Sequence, residues 1–179
     1  MVQSLAVFCG SKSGNNPLFE AHATVLGHLM AAHGIQLIYG GGNKGIMGAV
    51  ANAVLERGGK VIGIIPQMLT EWEAQHEGIT ELIVTEDMHT RKKLLYSKCD
   101  AAIILPGGFG TLDELYEMLT WNQLNIHSKQ IFILNTAGFY DGLLQHMHTM
   151  QEEAFLYDKI EDRITVVDEP AALIDYIKE

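Results

Sequence analysis

The stretch that most constrains the fold runs from residue 101 to residue 119, where an apolar segment leads into a glycine loop and then a helical pattern. Residues 101–105 are wholly apolar and have the length of a buried strand. The loop reads Pro-Gly-Gly-Phe-Gly and ends at Gly110. Apolar residues then recur at steps of three and four, which is typical of one helix face, at Leu112, Leu115, Met118 and Leu119. This pattern predicts a strand whose carboxyl end passes through a glycine loop into a helix.

Glycine loops of this kind suit a bound anion. Glycine lets a ligand approach the backbone closely, and the free N–H groups and dipole of a helix start favour phosphate. Glu114 follows one turn inside the helix, so a carboxylate would lie beside the anion. The same residues also fit a capping box, with Thr111 as N-cap and Glu114 at N3, which requires no ligand. A cap needs none of the three glycines, and they favour the ligand hypothesis.

Apolar strand patterns alternate with helical patterns along the whole chain. Strands are predicted at residues 5–8, 36–39, 60–65, 81–85, 101–105, 130–134 and 164–167, and helices at 17–33, 46–57, 87–98, from 111, 141–155 and from 170. Residues 67–80 are predicted to be irregular, with Trp72 either covering a site or packing. We therefore expect a single α/β domain over residues 1–179, with a Rossmann-like, doubly wound parallel sheet and helices on both faces. Its site should lie at the carboxyl ends of the strands.

Two other loops would share that edge. Gly10 and Ser11 follow the first predicted strand, and Gly41, Gly42 and Asn43 follow the second within a G-x-G-x-x-G pattern. The acid that a dinucleotide site needs about 20 residues later is missing, and so is a P-loop ending. We interpret the second loop as a wall of a mononucleotide-sized pocket, with a tight turn against a packed helix as the alternative.

A basic cluster, Arg91-Lys92-Lys93, stands out in an otherwise acidic chain. It falls in the first turns of a predicted helix, where cations oppose the dipole. Such cations need an anion to meet, and arginine suits phosphate or carboxylate. Lys93 is expected on a solvated face.

Composition excludes several classes of partner. A net charge of −10 disfavours nucleic acid binding. No apolar run approaches the roughly 20 residues that a membrane span needs. The two cysteines, Cys9 and Cys99, have no metal-ligand spacing, so we expect no metal site and a reducing, cytoplasmic location, with Cys99 in the core.

Two motifs together resemble the LONELY GUY family. They are Met-His-Thr-Arg-Lys at residues 88–92 and Pro-Gly-Gly-Phe-Gly-Thr-Leu-Asp-Glu at 106–114, and the likeness extends to residues 9–11, 39–42 and 120–127. This resemblance implies a cytokinin riboside 5′-monophosphate phosphoribohydrolase, with catalysis on Arg91 and Glu114 and a homodimer whose site lies near the subunit interface. The family was once labelled as lysine decarboxylases, but no lysine here has the setting of a Schiff base.

The motifs and loops define the predicted site of a nucleoside 5′-monophosphate hydrolase that needs no cofactor. Glu117 and Thr120 are included because they follow Glu114 at helical steps of three. The predicted substrate-binding residues are Gly10, Ser11, Gly41, Gly42, Asn43, Met88, Lys92, Gly107, Gly108, Phe109, Gly110, Thr111, Glu117 and Thr120. The alternative is a non-catalytic carrier of a nucleotide or pterin cofactor on the same fold. A further prediction is that the apolar faces of two helices pair in a dimer, through Leu112, Leu115, Met118, Leu119, Trp121, Leu94, Leu95 and Tyr96.

Overall fold

Strands and helices alternate in the computed structural model, which describes residues 2–70 and 75–177. The strands are β1 (Ser4–Phe8), β2 (Gln36–Tyr39), β3 (Val61–Pro66), β4 (Glu81–Thr85), β5 (Ala101–Ile104), β6 (Ile131–Leu134) and β7 (Ile164–Val167). The α-helices are α1 (Leu18–Ala32), α2 (Gly45–Glu56), α3 (Met88–Lys98), α4 (Phe109–Gln123), α5 (Asp141–Glu152) and α6 (Pro170–Ile177). None of the helices within the described ranges is long and apolar enough to cross a membrane.

The strands form one parallel sheet in the order β4-β3-β2-β1-β5-β6-β7. The chain moves outward from β1 in one direction and then from β5 in the other. The loops after these two neighbouring strands therefore diverge and leave a crevice at the carboxyl edge, where ligands bind in folds of this type. This arrangement confirms the predicted doubly wound sheet.

Two apolar layers cover the sheet. Side chains of α1, α2 and α6, such as Leu26, Val54 and Leu173, pack on one face. Side chains of α3, α4 and α5, including Leu95, Leu115 and Met147, pack on the other. Helices thus cover both faces, as predicted, and Cys99 is in the core at 2% exposure. The core fixes α3 and α4 side by side above the crevice.

Two helix boundaries differ from the predictions by more than one residue, and one segment predicted to be irregular has regular structure. Helix α4 begins at Phe109 rather than at Thr111, and α5 ends at Glu152 rather than at residue 155. Residues 67–69, predicted to be irregular, form a short 3-10 helix. Trp72 lies outside the described residues.

Candidate active site

Arg91 and Glu114 meet above the carboxyl edge of the sheet. The Nη1 atom of Arg91 lies 3.3 Å from the Oε1 atom of Glu114, and both residues are 6% exposed. A guanidinium and a carboxylate are costly to bury unless they pair. The buried ion pair therefore marks this point as the centre of the candidate site.

Helix α3 brings Arg91 to this position. Its N-cap is Asp87, whose Oδ1 accepts a hydrogen bond from the Thr90 N–H at 2.8 Å, and this bond lowers the pKa of Asp87. The Nε atom of Arg91 donates to the Ile64 carbonyl at the end of β3, at 3.0 Å. The cation placed against the helix dipole therefore meets a carboxylate and a carbonyl of its own chain.

Gly40 makes room for the guanidinium. A Cβ atom at this position would lie 2.6 Å from the Nη2 atom of Arg91, closer than carbon and nitrogen can approach. Gly40 was not among the predicted site residues, although it directly precedes Gly41 and Gly42, which were. The signal was present in the run of three glycines, but only the packing of Arg91 shows which of them matters for the site.

The start of α4 differs from the predicted capping box. Gly108 is the N-cap and makes no side-chain cap bond, so Thr111 occupies N3 and Glu114 lies in the second turn. The capping interpretation of Thr111 and Glu114 is therefore wrong. The burial of Glu114 is explained by Arg91 rather than by a cap.

The glycines at this helix start have two different surroundings. A Cβ on Gly107 would lie 2.1 Å from the Thr111 Oγ1 atom and 2.9 Å from the Gly10 nitrogen, so this glycine lets the loops after β1 and β5 approach. By contrast, a Cβ on Gly108 or Gly110 would meet nothing within 4 Å. Open space therefore lies in front of the first turn, whose N–H groups have no partner within the helix.

A cavity of about 330 Å³ occupies this space. Arg91 and Glu114 lie in its wall together with the first turn of α4 and the loop after β1. Its lining residues are Cys9, Gly10, Ser11, Met47, Leu69, Met88, Arg91, Gly108, Phe109, Gly110, Thr111, Asp113 and Glu114. Most of the predicted site is thus brought together, and Cys9, Met47, Leu69 and Asp113 also line the cavity although they were not among the predicted site residues.

A second cavity of about 300 Å³ adjoins the first across the same loops. Gly10, Ser11 and Gly108 line both cavities. The rings of Phe19 and Phe139, which meet edge to face with centroids 5.4 Å apart, belong to the second cavity. The first cavity thus contains the ion pair of Arg91 and Glu114, and the second contains Lys12 beside the two aromatic rings.

The three predicted residues of the loop after β2 lie away from both cavities. Gly41 and Gly42 are buried beneath the segment that follows residue 74. The Gly41 carbonyl accepts a 2.9 Å hydrogen bond from the His76 N–H, and Gly42 forms an isolated β-bridge with Gln75. Asn43 is exposed. These contacts account for the burial of Gly41 and Gly42 without a ligand.

Lys92 and Glu117 contact each other and do not line the cavity. The Lys92 Nζ atom lies 2.7 Å from the Asp113 Oδ2 atom and 3.1 Å from the Glu117 Oε2 atom. Partial burial lowers the pKa of Lys92, but hydrogen bonds to the two carboxylates outweigh it and raise the pKa above its ordinary value. Glu117 also accepts a 2.7 Å hydrogen bond from the Tyr96 hydroxyl.

Thr120 lies still further from the site. Its hydroxyl donates to the Tyr116 carbonyl within α4, and the residue lines a separate cavity toward α5. Two steps of three residues turn a helix by about 600°, which leaves Thr120 about 120° away from the direction of Glu114. Thr120 is therefore not part of the site formed by Arg91 and Glu114.

The apolar face proposed for a dimer is mostly used inside the subunit. Leu95, Tyr96, Leu115 and Met118 are buried in the core. Leu94, Leu112, Leu119 and Trp121 are partly buried against it. The argument from a large exposed face on these two helices is therefore wrong, whatever the oligomeric state.

Within residues 2–70 and 75–177, no group of three or more histidine, cysteine, aspartate or glutamate side chains is arranged to hold a metal ion. Cys9 and Cys99 are both buried.

Comparison with known proteins connects this geometry to a family. A sequence model of the family described as "Possible lysine decarboxylase" matches residues 47–177. The chain is 44% identical over 152 residues to a cytokinin riboside 5′-monophosphate phosphoribohydrolase from Arabidopsis thaliana, which covers 85% of this chain and 71% of that protein. It is 41% identical over 165 residues to an enzyme of the same name from Rhodococcoides fascians, with coverage of 92% and 83%.

Solved structures show the same fold at lower identity. The molybdenum cofactor binding protein of Rippkaea orientalis superposes with a TM-score of 0.75 at 25% identity, over 99% of this chain and 96% of that one. The Moco carrier protein of Chlamydomonas reinhardtii gives a TM-score of 0.74 at 20% identity, over 99% and 96%. The two sequence relatives are about twice as similar, and each alignment covers most of this chain and of the relative. The chain therefore belongs to the LONELY GUY family of cytokinin riboside 5′-monophosphate phosphoribohydrolases.

Proposed function

We propose that this protein hydrolyses the N-glycosidic bond of adenine or cytokinin nucleoside 5′-monophosphates, giving the free base and ribose 5-phosphate. The observation that carries the proposal is the buried pair of Arg91 and Glu114 in the wall of a cavity in front of an open helix start. The enzymes named for this reaction in Arabidopsis thaliana and Rhodococcoides fascians support it.

Glu114 is the proposed catalytic carboxylate. Cleavage of the bond from the base to C1′ builds positive charge on the ribose ring, as in glycoside hydrolysis. A carboxylate can stabilise that charge and can take a proton from the water whose oxygen becomes bonded to C1′. The bond electrons leave with the base, which gains a proton.

Arg91 is the proposed partner of this carboxylate. Its guanidinium is fixed by the Ile64 carbonyl and by Glu114, so it can present its remaining N–H groups in one direction. These groups can bind the anionic substrate or stabilise the departing base. No cofactor takes part in the proposed reaction.

The first turn of α4 is the proposed site for the 5′-phosphate. Gly108, Phe109, Gly110 and Thr111 line the cavity there, and the helix dipole adds to the attraction of their N–H groups. Gly10 and Ser11, from the loop after β1, and Gly107 complete this side of the crevice. Binding of the phosphate would orient the scissile bond toward Glu114.

The apolar part of the cavity wall is the proposed site for the base. Met88 and Phe109, which were predicted to bind substrate, lie there with Met47 and Leu69. This apolar wall suits a purine ring, with or without an isoprenyl substituent. A panel of nucleoside monophosphates would rank the bases.

The test is direct. Purified protein is incubated with AMP, and the products are separated by chromatography. Stoichiometric adenine and ribose 5-phosphate are expected. A carrier would bind AMP and return it unchanged, and this result would overturn the proposal.

The carrier alternative has less support. The solved structures named for a molybdenum cofactor are at most 25% identical to this chain, whereas the hydrolases exceed 40%. A carrier also has no need for a buried arginine and carboxylate in its binding cavity.

We also propose that the chain forms one domain, acts as a homodimer and works in the reducing cytoplasm. The low cysteine content, two residues in 179, supports the location. Exposed apolar side chains at both ends of α4 support the dimer, since Phe109 is 93% exposed and Leu124 and Ile126 exceed 60%. Light scattering at low micromolar concentration should give about twice the 19.8 kDa chain mass; a fully active monomer would contradict this.

A further inference from the structure

The second cavity has a single charged residue in its wall. Among the described residues that line it, Lys12 is the only one with a charged side chain. Lys12 is exposed, and its ammonium has no ion-pair or hydrogen-bond partner within residues 2–70 and 75–177. In the first cavity, by contrast, the guanidinium of Arg91 is paired with Glu114. Lys12 is therefore available to an anionic ligand.

The backbone of Lys12 is held from both sides. The Gly10 N–H donates to the Pro106 carbonyl at 3.0 Å, and the Gly10 carbonyl accepts from the Met47 N–H at 3.2 Å. Gly45, at the start of α2, packs against Lys12, since a Cβ at Gly45 would lie 2.5 Å from the Lys12 carbonyl carbon. These contacts tie the loop after β1 to the loop after β5 and to α2. The Lys12 side chain therefore leaves a fixed backbone beside the start of α4.

The other side chains of this cavity make it suitable for an anion. Phe19, Phe139 and Ile46 supply apolar walls, and none of the described residues in the lining has a carboxylate. Opposite charges attract each other more strongly beside apolar walls than in bulk water. A phosphate that entered this cavity would therefore meet the charge of Lys12 without repulsion from the walls.

The two cavities meet at the proposed phosphate site. Gly10, Ser11 and Gly108 line both of them, so a group bound at Gly108 faces Glu114 on one side and Lys12 on the other. Lysine is a common partner of phosphate, which it binds as a point charge. Its full charge adds to the partial charge of the helix dipole.

We propose that Lys12 contacts the 5′-phosphate from the second cavity, while the ribose lies toward Glu114 in the first. The inference rests on the proposed hydrolase function and adds one residue to its phosphate site. Lys12 is then a specificity-determining residue, which favours phosphorylated substrates over free nucleosides and takes no part in breaking the glycosidic bond.

The experiment compares Lys12→Met with Lys12→Arg in the full chain. For each protein, kcat and KM for AMP are measured with the inhibition constants of ribose 5-phosphate and adenosine, which divide the substrate into parts with and without the phosphate. Lys12→Met should raise KM and the ribose 5-phosphate constant by about tenfold, as for one weak charge-assisted hydrogen bond. The values of kcat and of the adenosine constant should stay within about twofold, because the lost contact is shared by the ground and transition states. Lys12→Arg keeps the charge and should retain most of the binding.

Lys60→Met is the matched control. Lys60 is an exposed lysine that directly precedes β3, at the amino edge of the sheet and away from both cavities. The same change of charge should leave all four constants unchanged there. Salt provides a second measurement, because it screens exposed charges. KM for AMP should rise with sodium chloride more steeply in wild type than in Lys12→Met.

Three outcomes would overturn the inference. An unchanged KM for AMP in Lys12→Met would show that the ammonium does not contact the phosphate. Equal weakening of ribose 5-phosphate and adenosine would show a general disturbance of the site. A lower kcat with unchanged KM would place Lys12 in the chemical step. If Lys12→Met fails to fold, Lys12→Gln takes its place, and the same outcomes decide.

The failure of this inference can be told apart from the failure of the proposed function. Wild-type protein that does not hydrolyse AMP contradicts the function itself. Wild-type protein that hydrolyses AMP, with Lys12→Met binding AMP and ribose 5-phosphate as tightly as wild type, contradicts only the role of Lys12.

Discussion

The Arg91 Nη1 atom and the Glu114 Oε1 atom lie 3.3 Å apart, and both residues are withdrawn from solvent on neighbouring helices. The ion pair is formed at the carboxyl edge of a parallel sheet, where α/β folds bind their ligands. It therefore links the fold to the proposed chemistry, and its parts can be tested one at a time.

Glu114→Gln tests the carboxylate. Turnover of AMP should fall by about 100-fold or more, as for lost acid–base groups. The melting temperature should also fall, because removing one charge of a buried pair costs up to about 3–5 kcal/mol, less whatever the amide recovers as a hydrogen bond. Glu152→Gln, an exposed change in the last turn of α5, is the control. Wild-type turnover in a folded Glu114→Gln protein would remove Glu114 from the mechanism.

Gly40→Ala tests the position of the Arg91 guanidinium. The new methyl group would lie 2.6 Å from the Nη2 atom of a guanidinium that Ile64 and Glu114 already hold, so the guanidinium must move. We expect kcat to fall by about 100-fold, because small displacements of a reacting group have this effect. Gly142→Ala, whose Cβ would meet nothing within 4 Å, should be neutral. Equal activity of the two variants would contradict the proposed role of Arg91.

Gly110→Ala tests the phosphate site without disturbing the protein. Its Cβ would meet nothing within 4 Å, and alanine is the better helix former by up to about 1 kcal/mol. The melting temperature should therefore stay the same or rise. The methyl group would project toward the proposed phosphate, and KM for AMP should rise by about tenfold or more, as for one lost charge-assisted hydrogen bond. An unchanged KM would place the phosphate elsewhere.

His76 predicts a pH dependence of stability. Its Nδ1 atom accepts a 3.2 Å hydrogen bond from the Gly78 N–H, and its Nε2 atom lies 2.9 Å from the Asn52 Oδ1 atom. Burial lowers the pKa of His76 below its ordinary 6.5. The unfolded chain therefore binds a proton at His76 more readily than the folded chain does. As a result, the free energy of unfolding decreases as pH falls below about 6.5.

Urea unfolding at pH 7.5 and pH 5.5 measures this effect. Wild type should lose more stability between these values than His76→Gln does. The pKa of His127 is also lowered by burial, so the comparison concerns the difference between the two proteins. Equal losses would show that His76 does not contribute.

The sheet could be predicted because each strand is an apolar run and each helix has its own periodicity. The start of α4 could not be predicted, because glycines weaken the helical signal of the first turn. In addition, Thr111 and Glu114 have the spacing of a capping box. The partners of Arg91 and Lys92 depend on the register between α3 and α4, which is set by packing on the sheet. The motifs therefore indicated Arg91, Lys92 and Glu114, but only the structure showed that Arg91 pairs with Glu114 in the cavity while Lys92 meets Asp113 and Glu117.

The relative rates on AMP and adenosine test the central claim most directly. Because the first turn of α4 is proposed to bind the phosphate, kcat/KM for AMP should exceed that for adenosine by at least about 100-fold, or roughly 2.7 kcal/mol, which a few charge-assisted contacts can supply. The measurement is the release of free adenine from each substrate under identical conditions. Equal values of kcat/KM would contradict the phosphate site and the function built on it.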